Sequence, residues 1–105
     1  MVERVFHRVA KVGEVPRDSV KAIALEGVPL LLIHTEDGIY AVENRCSHAA
    51  EPLACGRVKY GWIACPAHGA RFDIETGEPL TPPATAAIRI FTVRVTDDTI
   101  SVALD

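Results

Sequence analysis

Apolar and polar positions alternate along much of the chain, the period of half-buried strands. "ERVFHRVA" (3–10) predicts a first strand around Val5 and Val9. "KAIALEG" and "VPLLLIH" follow, and the second is apolar at nearly every position, which predicts a strand buried on both faces. "TEDG" (35–38) predicts a hairpin turn, because Asp-Gly tolerates positive φ, and "IYAVEN" is its return strand. Near the end, "IRIFTVRV" and "ISVAL" flank "TDDT" as a further hairpin. No stretch sustains a 3.6-residue period, and "EVPRDSVKA" has room for one short turn. Pro52, Gly56, Gly61, Pro66, Gly69, Gly77, Pro79, Pro82 and Pro83 punctuate the middle, which therefore reads as short strands joined by tight loops. The expectation is one all-β domain over 1–105, an antiparallel sandwich or open barrel with a loop-rich insert at about 44–84.

Composition narrows the function classes. The chain has 105 residues, 49% of them apolar and 24% charged, as in a globular domain with one modest core. Its net charge is -3 and no run of Lys/Arg occurs, which argues against a nucleic-acid partner. The longest apolar run is Val28 to Ile33, far short of the roughly 20 residues a spanning helix needs. With no apolar signal core at the start, the expected address is the cytoplasm. Three cysteines, Cys46, Cys55 and Cys65, suit a reducing compartment, where thiols serve metals or catalysis more often than disulfides.

Two of those cysteines come with histidines. "RCSH" sets Cys46 two positions before His48, and "CPAH" sets Cys65 three before His68, with sixteen residues between the pairs. Each pair follows an apolar segment, "IYAVEN" or "YGWIA", so each falls on a loop. Two thiolates and two imidazoles suit either tetrahedral zinc or a 2Fe–2S cluster of the Rieske arrangement, with two cysteines on one iron and two histidines on the other. A one-residue gap is tight for two ligands of a single metal. A two-iron cluster relaxes it, since each loop then gives its cysteine to one iron and its histidine to the other.

Here the sequence resembles the Rieske family. Residues 46–48 and 65–69 match its two ligand boxes, Gly69, Phe72, Asp73 and the Thr76–Gly77 turn resemble the usual flanks, and "PLTPP" resembles the proline loop that shields the cluster. The resemblance implies Cys46, His48, Cys65 and His68 as ligands of one 2Fe–2S cluster, with the histidine-bound iron near the molecular tip and taking the electron on reduction. High-potential members carry an extra cysteine in each loop, forming a disulfide. Here those positions are Glu51 and Ala67. They also place a serine and a tyrosine hydroxyl beside the cluster, at positions occupied here by Ala70 and Phe72. Hydrogen bonds to sulfur stabilise the reduced cluster, so their loss lowers the potential.

Charge sets the scale. Two ferric irons, two sulfides, two thiolates and two neutral imidazoles sum to zero, against minus two for an all-cysteine cluster. The expected midpoint is therefore above plant-type ferredoxins but at the low end of the Rieske range, about -150 mV. Rieske oxygenases need a second iron on two histidines and a carboxylate, yet only His7 and His34 remain, on different predicted strands. The resemblance thus points to the stand-alone ferredoxin component of a bacterial aromatic-ring dioxygenase. Such a protein is a monomeric carrier between a flavin reductase and a terminal oxygenase, and does no bond chemistry itself. The alternative is the small subunit of a nitrite reductase or other oxidoreductase complex. His7 and His34 read as surface or core-edge residues, Cys55 as a small semi-buried one, Trp62 as a core residue, and Asp73 as the cap of the turn leaving the second box.

Overall fold

The structure, a computed structural model, describes residues 5–46, 52–54, 56–59, 61–66, 69–81 and 86–104. Nine strands are assigned among them: β1 (Phe6–Lys11), β2 (Ser19–Leu25), β3 (Val28–Thr35), β4 (Gly38–Glu43), β5 (Arg57–Lys59), β6 (Trp62–Ala64), β7 (Arg71–Asp73), β8 (Ile90–Thr96) and β9 (Thr99–Ala103). Six form one antiparallel sheet in the order β1-β9-β8-β4-β3-β2. The other three form a small sheet, β5-β6-β7, also antiparallel. This is the all-β architecture the alternation predicts, with the small sheet inside the expected insert.

Short turns close the long hairpins. Glu26 and Gly27 both take positive φ (50° and 81°) between the paired residues Leu25 and Val28. Asp97 and Asp98 do the same (50° and 64°) between Thr96 and Thr99. Two successive residues at positive φ give the type I′ geometry, whose twist matches that of the flanking strands. At 35–38 the pairing of Thr35 with Gly38 confirms the hairpin, but the positive φ falls on Gly38 (141°) and not on Asp37. The stretch expected to hold one short turn does so, with the Ser19 N–H donating to the Pro16 carbonyl at 3.1 Å and Asp18 at φ 65°, and a helical turn lies just upstream of it. A 3-10 turn covers Val12–Glu14, held by the Lys11 N–H donating to Glu14 Oε2 at 2.7 Å, and β2 has begun by Ser19.

β3 decides how the cores are arranged. Leu30, Leu31, Leu32 and Ile33 are all fully buried, as a strand covered on both faces requires. Leu30 and Leu32 pack with Ala41, Phe91, Ile100, Val102 and Val15, a core to which all six strands of the large sheet contribute. That is possible because the sheet curls on itself. Leu31 and Ile33 point the other way and pack with Val42, Leu53, Ile63, Phe72, Ile74 and Ile88. This second core lies between the large sheet and the small one.

Candidate metal centre

Cys46 lies just beyond the end of β4, and Cys65 directly follows β6. Both are 1% exposed, both belong to the second core, and neither is bridged in a disulfide. The β5–β6 hairpin lies between them in sequence, as the spacing of the two boxes anticipates.

Each loop is fixed by hydrogen bonds that do not depend on a metal. The Asn44 side chain anchors the first. Its Oδ1 accepts from the backbone N–H of Leu53 (2.8 Å) and of Ala54 (3.0 Å), while the Asn44 backbone N–H donates to the Pro29 carbonyl (2.9 Å). This ties the chain after the first box back to the end of β4, so the loop carrying Cys46 has both ends secured. The role of Asn44 was not legible in the sequence, where an asparagine at a strand end reads as a simple breaker. Around the second box, Cys65 N–H donates to the Ala70 carbonyl (2.7 Å) and Gly69 N–H donates to the Cys65 carbonyl (2.8 Å). Gly69 takes φ 74°, the left-handed conformation this return needs.

The exit from the second box is capped as expected. Asp73 Oδ1 accepts from Glu75 N–H (2.8 Å) and Thr76 N–H (3.1 Å), an Asx-type turn. Gly77 follows at φ 78°, and its carbonyl accepts from Ile88 N–H at 2.9 Å. Tyr40, on β4 of the large sheet, lines one surface pocket with Glu75 of this turn. Burial, with the Glu75 carboxylate beside it, pushes the Tyr40 phenol above its ordinary value.

Ala70 and Phe72 are both fully buried in the same core as the two cysteines. Neither side chain has a hydroxyl to give, so no hydrogen-bond donor stands where the high-potential pattern needs one. Thr81 Oγ1, from the "PLTPP" stretch, accepts from Arg71 N–H (2.9 Å), and Leu80 is 51% exposed. His48, His68, Glu51, Ala67, Cys55, Pro82 and Pro83 lie outside the described residues.

The remaining candidates sort themselves. His34 Nδ1 is 2.7 Å from the Val15 carbonyl on the large sheet, and His7 Nε2 is 4.0 Å from Glu26, so both are core-edge residues as expected. Trp62 corrects the reading. It is only half-buried, on the face of the small sheet away from the second core, with the Arg71 guanidinium 4.3 Å from its ring centroid. The reason is parity: Ile63 points into the core, so its neighbour Trp62 must point out.

Two buried thiols in one apolar core, on loops fixed by backbone hydrogen bonds, suit a prosthetic group that binds thiolates and excludes water. Comparison with known proteins agrees. Among curated proteins, the ferredoxin component of a naphthalene 1,2-dioxygenase system from Pseudomonas aeruginosa is 36% identical over 90% of both chains. Among solved structures, the ferredoxin of carbazole 1,9a-dioxygenase from Nocardioides aromaticivorans IC177 superposes with a TM-score of 0.90 at 31% identity, covering 95% of this chain and 98% of that one. A ferredoxin solved in complex with the reduced oxygenase of carbazole 1,9a-dioxygenase superposes with a TM-score of 0.88 at 27% identity, covering 96% and 94%. Residues 5–92 match the Rieske [2Fe-2S] domain, and the chain belongs to that family, whose members carry one Rieske-type 2Fe-2S cluster.

Proposed function

We propose that this protein is a one-electron carrier of a multicomponent ring-hydroxylating oxygenase, taking electrons from a flavin-dependent reductase and delivering them to a terminal oxygenase. The observation that carries the reading is the pair of buried cysteines, Cys46 and Cys65, in the core of a Rieske domain that matches a ferredoxin component over 90% of both chains. Those relatives are ferredoxin components, which favours the carrier over a nitrite reductase subunit, a likeness of fold at 20% identity.

Cys46 and Cys65 would hold the cluster as thiolates, and His48 and His68 would hold it through imidazole nitrogens. The cluster supplies a site that accepts and releases a single electron. The chain's own residues do the rest. Leu53, Ile63, Phe72 and Ile74 keep water from the thiolates, and Asn44 and the Cys65–Ala70 hydrogen bond hold the two loops at fixed separation. A rigid, dry cavity limits reorganisation on electron transfer. The domain spans 1–105, with about 44–84 as its cluster-binding part. It works as a monomer in the cytoplasm, a setting in which buried unbridged thiols stay reduced. Among the described residues no helix is long and apolar enough to cross a membrane.

Reconstitution tests the reading: reduced cofactor, a flavin reductase, a terminal oxygenase of a naphthalene dioxygenase system, and this protein as the only variable. Turnover that rises with its concentration is expected. Absence of any dependence, or a colourless protein with one bound zinc, overturns it. Potentiometric titration gives the finer check, with a midpoint of about -150 mV expected because Ala70 and Phe72 donate no hydroxyl.

A further inference from the structure

The register of the small sheet assembles a cationic face that the sequence does not display. Val58, Ile63 and Phe72 form one cross-strand row, and all three pack in the second core. The rows on either side therefore point outward. One is Arg57, Ala64 and Arg71, and the other is Lys59, Trp62 and Asp73. Arg57, Lys59 and Arg71 are exposed; Asp73, the carboxylate in these two rows, already accepts two backbone N–H groups, and Lys59 borders a surface pocket with Asp18, Glu36 and Asp37, so the positive charge is concentrated on the Arg57–Arg71 row. Two arginines thus stand in the row beside a half-buried tryptophan, on one face of a chain whose net charge is -3.

The position of this face matters as much as its charge. Ala64 is the residue before Cys65, and Arg71 follows Ala70, whose carbonyl accepts from Cys65 N–H. The Arg57–Ala64–Arg71 row is therefore the end of the small sheet next to the second ligand loop. A positive pole at that end of an otherwise acidic molecule orients it in the field of an anionic partner before contact. Arginine and tryptophan are also the side chains that most often dominate binding energy at protein interfaces. The stacking of Arg71 on Trp62 holds both in place without neutralising the guanidinium.

We propose that the outer face of β5-β6-β7, centred on Arg57, Trp62 and Arg71, is the docking surface for a carboxylate-rich patch on a redox partner protein. This deepens the carrier reading and rests on it. Two arginines on an acidic chain are too few for a nucleic acid, whose phosphates reward a long basic track. They fit a small, transient, salt-sensitive protein encounter.

The test uses the holoprotein in the reconstituted naphthalene dioxygenase assay at low salt, reading the apparent KM for this protein. Arg57→Gln and Arg94→Gln change the net charge equally, but Arg94 lies on β8 with its guanidinium 3.9 Å from the Phe6 ring, away from the small sheet. Arg57→Gln is expected to raise KM about threefold, and Arg57→Gln/Arg71→Gln about tenfold. The salt dependence of KM should flatten, with the visible spectrum of the cluster unaltered. Arg94→Gln should leave KM within the error of the wild type. Equal KM for Arg57→Gln and Arg94→Gln overturns the docking face while leaving the carrier reading intact. No turnover with the wild type overturns both. Retention of a double-stranded oligonucleotide by the wild type, lost in the double variant with KM unmoved, assigns the face to nucleic acid and also overturns it.

Discussion

Leu31 and Leu32 are neighbours in one strand and both are fully buried, yet they belong to different cores. Leu32 faces the interior of the curled six-stranded sheet, a core built mainly from residues on long paired strands. Leu31 faces the second core, which is built from three-residue strands, loop residues and two cysteines. The first core closes with hydrocarbon alone. The second has little regular structure of its own and carries the thiols, so a cluster held by them would add to its cohesion. One half of the molecule is scaffold, and the other is a site that the scaffold holds by one face.

The sharpest way to break that comparison is to remove a ligand. Cys65→Ser is expected to abolish the cluster, with complete loss of its visible absorption. Hydrogen exchange should then lose protection across 57–73 while amides of 92–102 stay protected, because metal binding and the order of the insert are coupled. Equal loss in both regions would show the two cores to be one cooperative unit.

Next in size are the two leucines. Leu31→Ala and Leu32→Ala should each cost about 2–5 kcal/mol by denaturant titration, since each leaves a cavity in a packed interior. Their readouts should differ. Leu31→Ala is expected to lower cluster retention under chelator, whereas Leu32→Ala should unfold more easily yet keep its cluster while folded.

Two glycines sharpen the contrast within the site. A Cβ on Gly77 would collide with the Ile88 carbonyl oxygen at a φ of 78°, whereas one on Gly69, at 74°, would meet nothing within 4 Å among the described residues. Gly77→Ala should therefore cost about 3 kcal/mol, and Gly69→Ala about 1 kcal/mol, the backbone strain alone. Thermal melts of the two holoproteins side by side measure this.

The smallest effect concerns the link between the regions. Burial and Glu75 raise the Tyr40 pKa above its unfolded value. A raised pKa means the neutral phenol is favoured on folding. Its contribution is fully present below about pH 10 and is lost as pH rises through the folded value. Tyr40→Phe should cost about 1 kcal/mol at neutral pH. It should also remove part of the stability loss seen in urea melts as pH rises above about 10.

Much of this was legible in the chain, because some residue types admit few uses. Cys46, His48, Cys65 and His68 mark themselves by ligand chemistry, and the family match bears out the cluster they imply. "TDDT" fixes its hairpin through two residues that tolerate positive φ, and the unbroken apolar run of β3 announces a strand covered twice. The chain likewise determined that Ala70 and Phe72 offer no hydroxyl. Tertiary structure decided the rest. Strands of three residues are too short to show a period, so β5, β6 and β7 exist only through one another. Arg57 and Arg71 are fourteen positions apart and share a face through the register of Ala64 between them. Trp62 reads as core until its parity against Ile63 turns it outward, and Asn44 reads as punctuation until residues 53 and 54 return to it. Local chemistry is written in the residue, but a face is written in the pairing, and pairing across long separations is settled only when the chain folds.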